Sequence, residues 1–267
     1  MYNNCSKAVP QFAGMALCAE RYVMEKKLNA NHLKLIAIIA MTVDHATDLL
    51  YPGFPNAPVA VALHTVGRLT APIMWFFVAE GFYHTSNLRK YLLRMLVFAV
   101  ISHFAYCFAF GIPMIPFTSG VLNQTSVIWP LFLAIVALWV LNSGLSEWKK
   151  LLLVILINLL AFPADWSCIA VMAVVYMYDK RGNLKGQMLG MLCWVALYSV
   201  VSFFYASRVY AVVQLGVILV YPLLRQYNGQ RGRAKWMKWF FYWYYPAHLV
   251  LIGILRLVIY GDVSLLF

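Results

Sequence analysis

A chain of 267 residues that is 63% hydrophobic and only 11% charged falls outside soluble globular domains, where about a quarter of residues carry charge. Its mean hydropathy of +0.75, in apolar runs broken by short polar stops, describes an all-α polytopic transmembrane helical bundle. The net charge of +12 would suit nucleic acid, but the basic residues alternate from side to side of the apolar runs, and that placement excludes the class.

Residues 1–32 read as a cytoplasmic, interfacial segment. Their apolar stretch AVPQFAGMALCA is interrupted by Pro10 and Gln11, and its charges follow rather than precede it, unlike a secretory signal. A single bundle of about nine spans follows over residues 33–260, with a short outer tail at 261–267.

The first span, at 33–51, carries Lys34, Asp44, His45 and Asp48, although an ionisable group at mid-membrane costs roughly 2.5 to 3.5 kcal/mol on insertion scales. Such residues mark a working site by default. Lys34 and His45 are about three helical turns apart and share one face, roughly 16 Å apart along the axis. Lys34 reads equally as a site cation and as a snorkelling anchor. Asp48 lies at i+3 from His45, within reach of it, whereas Asp44 points about 100° away toward a neighbouring helix.

The second span, at 66–84, opens on the outer side with Arg68, which reads as a site for anionic or carbonyl oxygens or as a surface anchor. Glu80 lies deep in it and needs a partner: His84 at i+4, His103, or a residue of another helix. The third span, at 91–110, follows the basic pair Arg89 and Lys90, and its His103 reads as a satisfied core residue. Spans at 127–142, 149–162, 166–178, 186–204 and 208–224 come next. The two around FPADW are about 14 residues each, roughly 21 Å against a core of roughly 30 Å. Basic residues flank both outer ends of the pair, so a hairpin dipping into the bundle is expected there. The last span, at 238–260, gathers Trp and Tyr toward its cytoplasmic half, is kinked by Pro246, and carries His248 with Tyr244 and Tyr245 beside it.

With these spans, every Lys and Arg except Arg68, Arg208 and Arg256 falls on one side, the positive-inside pattern, which puts the N-terminus in the cytoplasm. The basic loops suit a phosphate-rich cosubstrate such as coenzyme A, although GQRGR at 229–233 is no recognised phosphate cradle. The five cysteines show no metal spacing, and no nucleotide-binding or nucleophile-elbow motif is present. Two function classes fit the buried Asp, His, Glu and Arg. One is group transfer, with a neutral histidine as general base. The other is proton-coupled transport of a small molecule, with the same residues as a proton relay.

Three blocks carry a family resemblance: LKLIAIIAMTVDHATDLL at 33–50, GRLTAPIMWFFVAEGFYHTSNLRKYLLRMLVFAVIS at 67–102, and FYWYYPAHLVLIGIL at 241–255. Together they resemble the TraX family of bacterial integral-membrane proteins, whose founding member N-acetylates conjugative pilin. That family is similar in turn to membrane acyltransferases with an Arg, ten residues, then a His in their first helix; here Lys34 stands where those proteins have Arg, ten residues before His45. The resemblance implies acyl transfer in the bacterial cytoplasmic membrane, from cytoplasmic acetyl-coenzyme A to an unidentified hydroxyl or amine acceptor, with no metal and no nucleic acid. His45 would be the catalytic histidine, with Asp44, Arg68 and Glu80 around it, and Lys34, Arg89, Lys90, Tyr245 and His248 on the donor side.

Overall fold

A computed structural model describes residues 27–53, 55–115, 120, 122–205 and 207–261. Most of the expected interfacial segment and of the outer tail lies outside these residues. The described chain is helical, and its pairing of extended backbone is confined to two isolated bridges, Leu28 with Tyr227 and Thr125 with Ala164.

The helices are α1 (Ala30–Leu50), α2 (Pro58–Gly67), α3 (Thr70–His84), α4 (Leu88–Phe110), α5 (Ile128–Leu141), α6 (Glu147–Ala161), α7 (Ser167–Asp179), α8 (Leu184–Tyr205), α9 (Arg208–Gln214), α10 (Tyr221–Arg225) and α11 (Met237–Tyr260). Asn29 caps α1 by accepting from His32 N–H, and Asn87 caps α4 by accepting from Lys90 N–H. Gly111 ends α4 in the left-handed region, with its N–H on the Cys107 carbonyl.

Burial is arranged as lipid requires. Leu33, Ile73, Trp75, Leu131, Ile135, Met177 and Leu249 form the interior, while Leu152, Phe204 and Val258 stand on the outside at 64%, 75% and 76% exposure. Water would not tolerate so many large apolar side chains on one surface. Trp236, Trp239 and Trp243 face outward along the first turns of α11, where an interfacial belt belongs.

Two expectations on span boundaries are corrected. The second span begins at Pro58 rather than 66, because the helical run continues back through α2 and is only broken at Arg68 and Leu69. The run 208–224 is not one α-helix: it tightens to a 3-10 helix at Leu215–Val220 between α9 and α10. Among the described residues, five runs are long and apolar enough to cross a membrane: Pro58–His84, Leu88–Phe110, Leu184–Phe204, Arg208–Arg225 and Met237–Tyr260. Helix α1 has the length, at 21 residues, but carries Lys34, Asp44 and Asp48.

The expected hairpin is present. Helices α6 and α7 have 15 and 13 residues, and their connection folds against the segment before α5. Gln124 N–H donates to Pro163 O at 2.6 Å, and Asp165 N–H donates to Thr125 O at 2.9 Å. Non-helical backbone inside a bundle survives only where such bonds satisfy it. Lys34, Arg94, Arg231 and Lys238 border one cavity together with Glu80, and Arg181 binds Glu80. That end of the bundle is termed the basic end.

Candidate functional site

The break between α2 and α3 builds the centre of the site. Arg68 sits there, 7% exposed. Its guanidinium donates to Asp44 Oδ2 from α1, to Gln214 Oε1 at the end of α9 (3.1 Å), and to the His64 carbonyl (3.3 Å). His64, one turn earlier on α2, donates its Nδ1–H to Asp44 Oδ1 at 2.8 Å. Asp44 thus takes bonds from both a guanidinium and an imidazole, which joins α1 to α2 and its C-terminal break through one carboxylate, and Arg68 extends the link to α9 through Gln214. Removing one partner from so buried a pair costs about 3–5 kcal/mol. Gly67 makes the approach possible: a Cβ there would overlap the Asp44 side chain. Arg68 is therefore no outer-surface anchor; it is a buried donor with a bond from each of its three guanidinium nitrogens.

One residue along, His45 faces α11. Its Nδ1 lies 2.8 Å from His248 Nε2. The two rings are nearly coplanar, at 3°, with centroids 5.0 Å apart, which describes an edge-to-edge hydrogen bond rather than stacking. The direction of this bond follows from the next partner. His248 Nδ1 lies 2.9 Å from the Tyr244 carbonyl, which only accepts, so this nitrogen carries the hydrogen. In neutral His248 the Nε2 lone pair then accepts from His45 Nδ1–H. His45 Nε2 is left with a free lone pair, the form a general base requires. One turn toward the basic end, Thr42 donates to the Ile38 carbonyl and so accepts from the Tyr244 hydroxyl at 2.7 Å. His45 takes His248 as its hydrogen-bond partner, and not Asp48, which the i+3 spacing put within reach.

The hairpin tip contributes a further carboxyl. Asp165 precedes Trp166 and Ser167, both in the left-handed region at φ of 61° and 47°. Non-glycine residues held there cost of order 1–3 kcal/mol each. Trp166 is buried against Trp75, Tyr198 and the Arg68 guanidinium, which fixes the turn. Unlike Asp44, Asp165 has no cation within salt-bridge distance among the described residues.

These groups border a small inner compartment of about 40 Å³, lined by Asp44, His45, Arg68, Asp165, Trp166 and Tyr245 among others. A cavity of about 480 Å³ lies toward the basic end. Met41, Thr70, Met74, Val127 and Tyr245 are walls of both, so the two adjoin.

The residues expected from sequence divide between these spaces. Asp44, His45 and Arg68 meet in the inner compartment, Tyr245 stands at the junction, and His248 backs His45. Lys34 lines the larger cavity with its ammonium over the Phe77 and Phe241 rings, at 5.4 and 5.7 Å. Glu80 also lies in the larger cavity, roughly 15 Å along α3 from Thr70. There it receives two bonds from Arg181, at 2.8 and 3.1 Å, with His84 at 3.3 Å. The hydrogen bond to the Glu80 carboxylate raises the pKa of Arg181, in the α7–α8 turn, above its ordinary value. Arg89 and Lys90 are exposed at the start of α4 and do not line either space; Arg94, one turn on, does.

Sequence reasoning missed His64, Gln214 and Asp165. His64 was hidden by placing the span start at 66. Gln214 is the lone amide in a strongly apolar run, YAVVQLGVILV, and that isolation was its signal. Asp165 was visible as the acid of FPADW, at the tip of a hairpin already expected to enter the bundle.

Comparison with known proteins agrees with this architecture. The probable fimbrial assembly protein FimC, serogroup H1, of Dichelobacter nodosus is 30% identical over 235 residues, which cover 84% of this chain and 94% of that protein. No solved structure matches the chain. The family model described as TraX protein matches residues 29–256, from the cap of α1 to the last turns of α11, and the chain belongs to the TraX family.

Proposed function

We propose that this protein is an integral-membrane acyltransferase that moves an acetyl group from acetyl-coenzyme A to an amine or hydroxyl acceptor. One observation carries the reading: a histidine whose Nε2 lone pair is left free by its own hydrogen-bond chain lines a compartment adjoining a cation-lined cavity. With the basic end facing the cytoplasm, Lys34, Arg94, Arg231 and Lys238 suit the phosphates of the donor. Its pantetheine arm would run past Tyr245 and bring the thioester to the inner compartment.

There the acceptor X–H attacks the thioester carbonyl. The X–C bond forms, the proton passes to His45 Nε2, and the C–S bond breaks. The proton then moves to the departing thiolate. His248 Nε2 accepts from His45 Nδ1–H throughout and stabilises the imidazolium that forms. Asp44 and Arg68 act by position: their pairing fixes α1 against α2 and so sets the height of His45. The name of the Dichelobacter relative makes a fimbrial subunit the acceptor class to try first.

The test is binding and slow hydrolysis of acetyl-coenzyme A by the purified protein in detergent, wild type beside His45→Ala. The variant should bind the donor within about twofold and lose turnover by about 10²-fold or more, the usual share of a general base. Full turnover without His45 would sink the mechanism. Absence of acyl-coenzyme A binding in a folded wild type would favour proton-coupled transport through the same Asp and His groups.

A further inference from the structure

A second carboxyl faces the space in front of His45, and acyl transfer as proposed above does not use it. Asp165 lines the inner compartment beside His45 and Arg68. The local structure goes to some length to hold it there. Two consecutive non-glycine residues with positive φ follow it, and the bonds from Gln124 N–H to Pro163 O and from Asp165 N–H to Thr125 O pin the tip from the other side. Its neighbour Asp44 is neutralised by Arg68 and bound by His64, whereas no cation stands within salt-bridge distance of Asp165 among the described residues. A carboxyl inside a membrane bundle, next to a strained turn, bonded by the Trp166 N–H and attracted by Arg68 only from beyond ion-pair distance, is poor design for stability alone.

We infer that Asp165 is an acceptor-binding residue: it takes a hydrogen bond from the nucleophile, or from a polar group beside it, while the reacting hydrogen is directed at His45 Nε2. The inference rests on the acyltransferase reading. The compartment has the size for this task. At about 40 Å³ it holds about three water-sized groups, so an acyl carbon and a nucleophile fit between the two side chains with little room to turn. The chemistry needs an orienter, because a nucleophile bonded only to His45 can still rotate about that bond. The proton balance is unchanged: Asp165 accepts a hydrogen bond and neither gains nor loses a proton.

Water has two hydrogens and can serve as the probe nucleophile. Acetyl-coenzyme A hydrolysis by the purified full-length protein is followed for wild type, Asp165→Asn and Asp165→Glu, with thermal unfolding of each. Asp165→Asn should lower kcat by at least about tenfold, leave KM for acetyl-coenzyme A within about twofold, and keep or raise Tm, since a buried acid without an ion pair is removed while the amide oxygen can still accept from the Trp166 N–H. Asp165→Glu, which restores the carboxyl but displaces it, should recover only part of the loss. Unchanged kcat in Asp165→Asn overturns the inference. So does a fall in Tm with activity lost only in proportion to folded protein, which would make Asp165 a turn-former. Wild type that binds and hydrolyses acetyl-coenzyme A while Asp165→Asn matches it refutes the role of Asp165 alone. Wild type that does neither removes the acyltransferase reading, and the inference with it.

Discussion

At the scale of single residues, the site depends on who neutralises whom. Asp44 and His45 are neighbours in sequence but diverge by about 100°, so one residue pair serves two helices. Asp44 turns to α2 and is consumed by Arg68 and His64; His45 turns to α11 and meets His248. That division was legible in the sequence, because helical periodicity alone separates adjacent positions. The identity of the partners was not, since His64 and Gln214 lie 20 and 170 positions from Asp44 and nothing local links them. Gly67 is the most sensitive point of this arrangement. A methyl group there must displace the Asp44 carboxylate or part α1 from α2. Gly67→Ala should therefore destabilise by about 1–3 kcal/mol, the usual range for overpacking, and weaken turnover more than donor binding. Thermal unfolding and acetyl-coenzyme A titration of the purified variant measure the two effects separately.

At the scale of elements, the informative departures are the places where helices stop. Apolar runs located the expected spans on helical chain, although 208–224 is broken by a 3-10 stretch, and the short FPADW pair was recognisable as a hairpin from length and flanking charge. The interruption at Arg68 and Leu69 had a local signal in Pro72, which has no N–H to donate to the Arg68 carbonyl and sits in the first turn of α3; what the sequence did not show is the set of tertiary bonds that hold Arg68 there. The same holds for the 3-10 turn after Gln214, which lets that amide face Arg68. Glu80 illustrates the converse. Its depth within the expected span pointed to the catalytic centre, yet α3 carries it toward the basic end, where it ties α3 to the α7–α8 turn through Arg181. Arg181 is about one-third exposed, and such half-solvated pairs are worth about 1 kcal/mol or less. Glu80→Gln should accordingly retain more than about half of wild-type turnover and bind the anionic donor no more weakly, because Arg181 is released beside the cavity. Turnover lost as completely as in His45→Ala would return Glu80 to the reacting centre.

At the scale of the whole molecule, charge asymmetry and the paired spaces belong together. The positive-inside bias visible in sequence and the cations lining the larger cavity are partly the same residues, so composition alone did not distinguish a topological signal from a ligand site. The fold brings Lys34, Arg94, Arg231 and Lys238 from α1, α4, the loop before α11 and α11 onto one space, which is where the proposed donor site would lie. Attraction built from several partly solvated cations is screened by salt, with a Debye length of about 10 Å at 0.1 M falling to about 3 Å at 1 M. Donor affinity should fall several-fold as salt is raised from about 0.05 M to about 0.5 M, with kcat nearly constant because screening acts on the cations of the basic end and not on the short His45–His248 hydrogen bond. Isothermal titration across that range checks it, and an affinity indifferent to salt would argue against phosphate recognition at the basic end.

The bond between His45 and His248 closes a loop of 203 residues. Every other described helix lies between the two in sequence, since α1 and α11 are the first and last of the described helices. A chain still emerging from the ribosome therefore carries its base without the neighbour that fixes which ring nitrogen holds the hydrogen. If His45 is the base proposed above, a chain cut short before α11 should be inactive, because the partner that sets its tautomer would be missing.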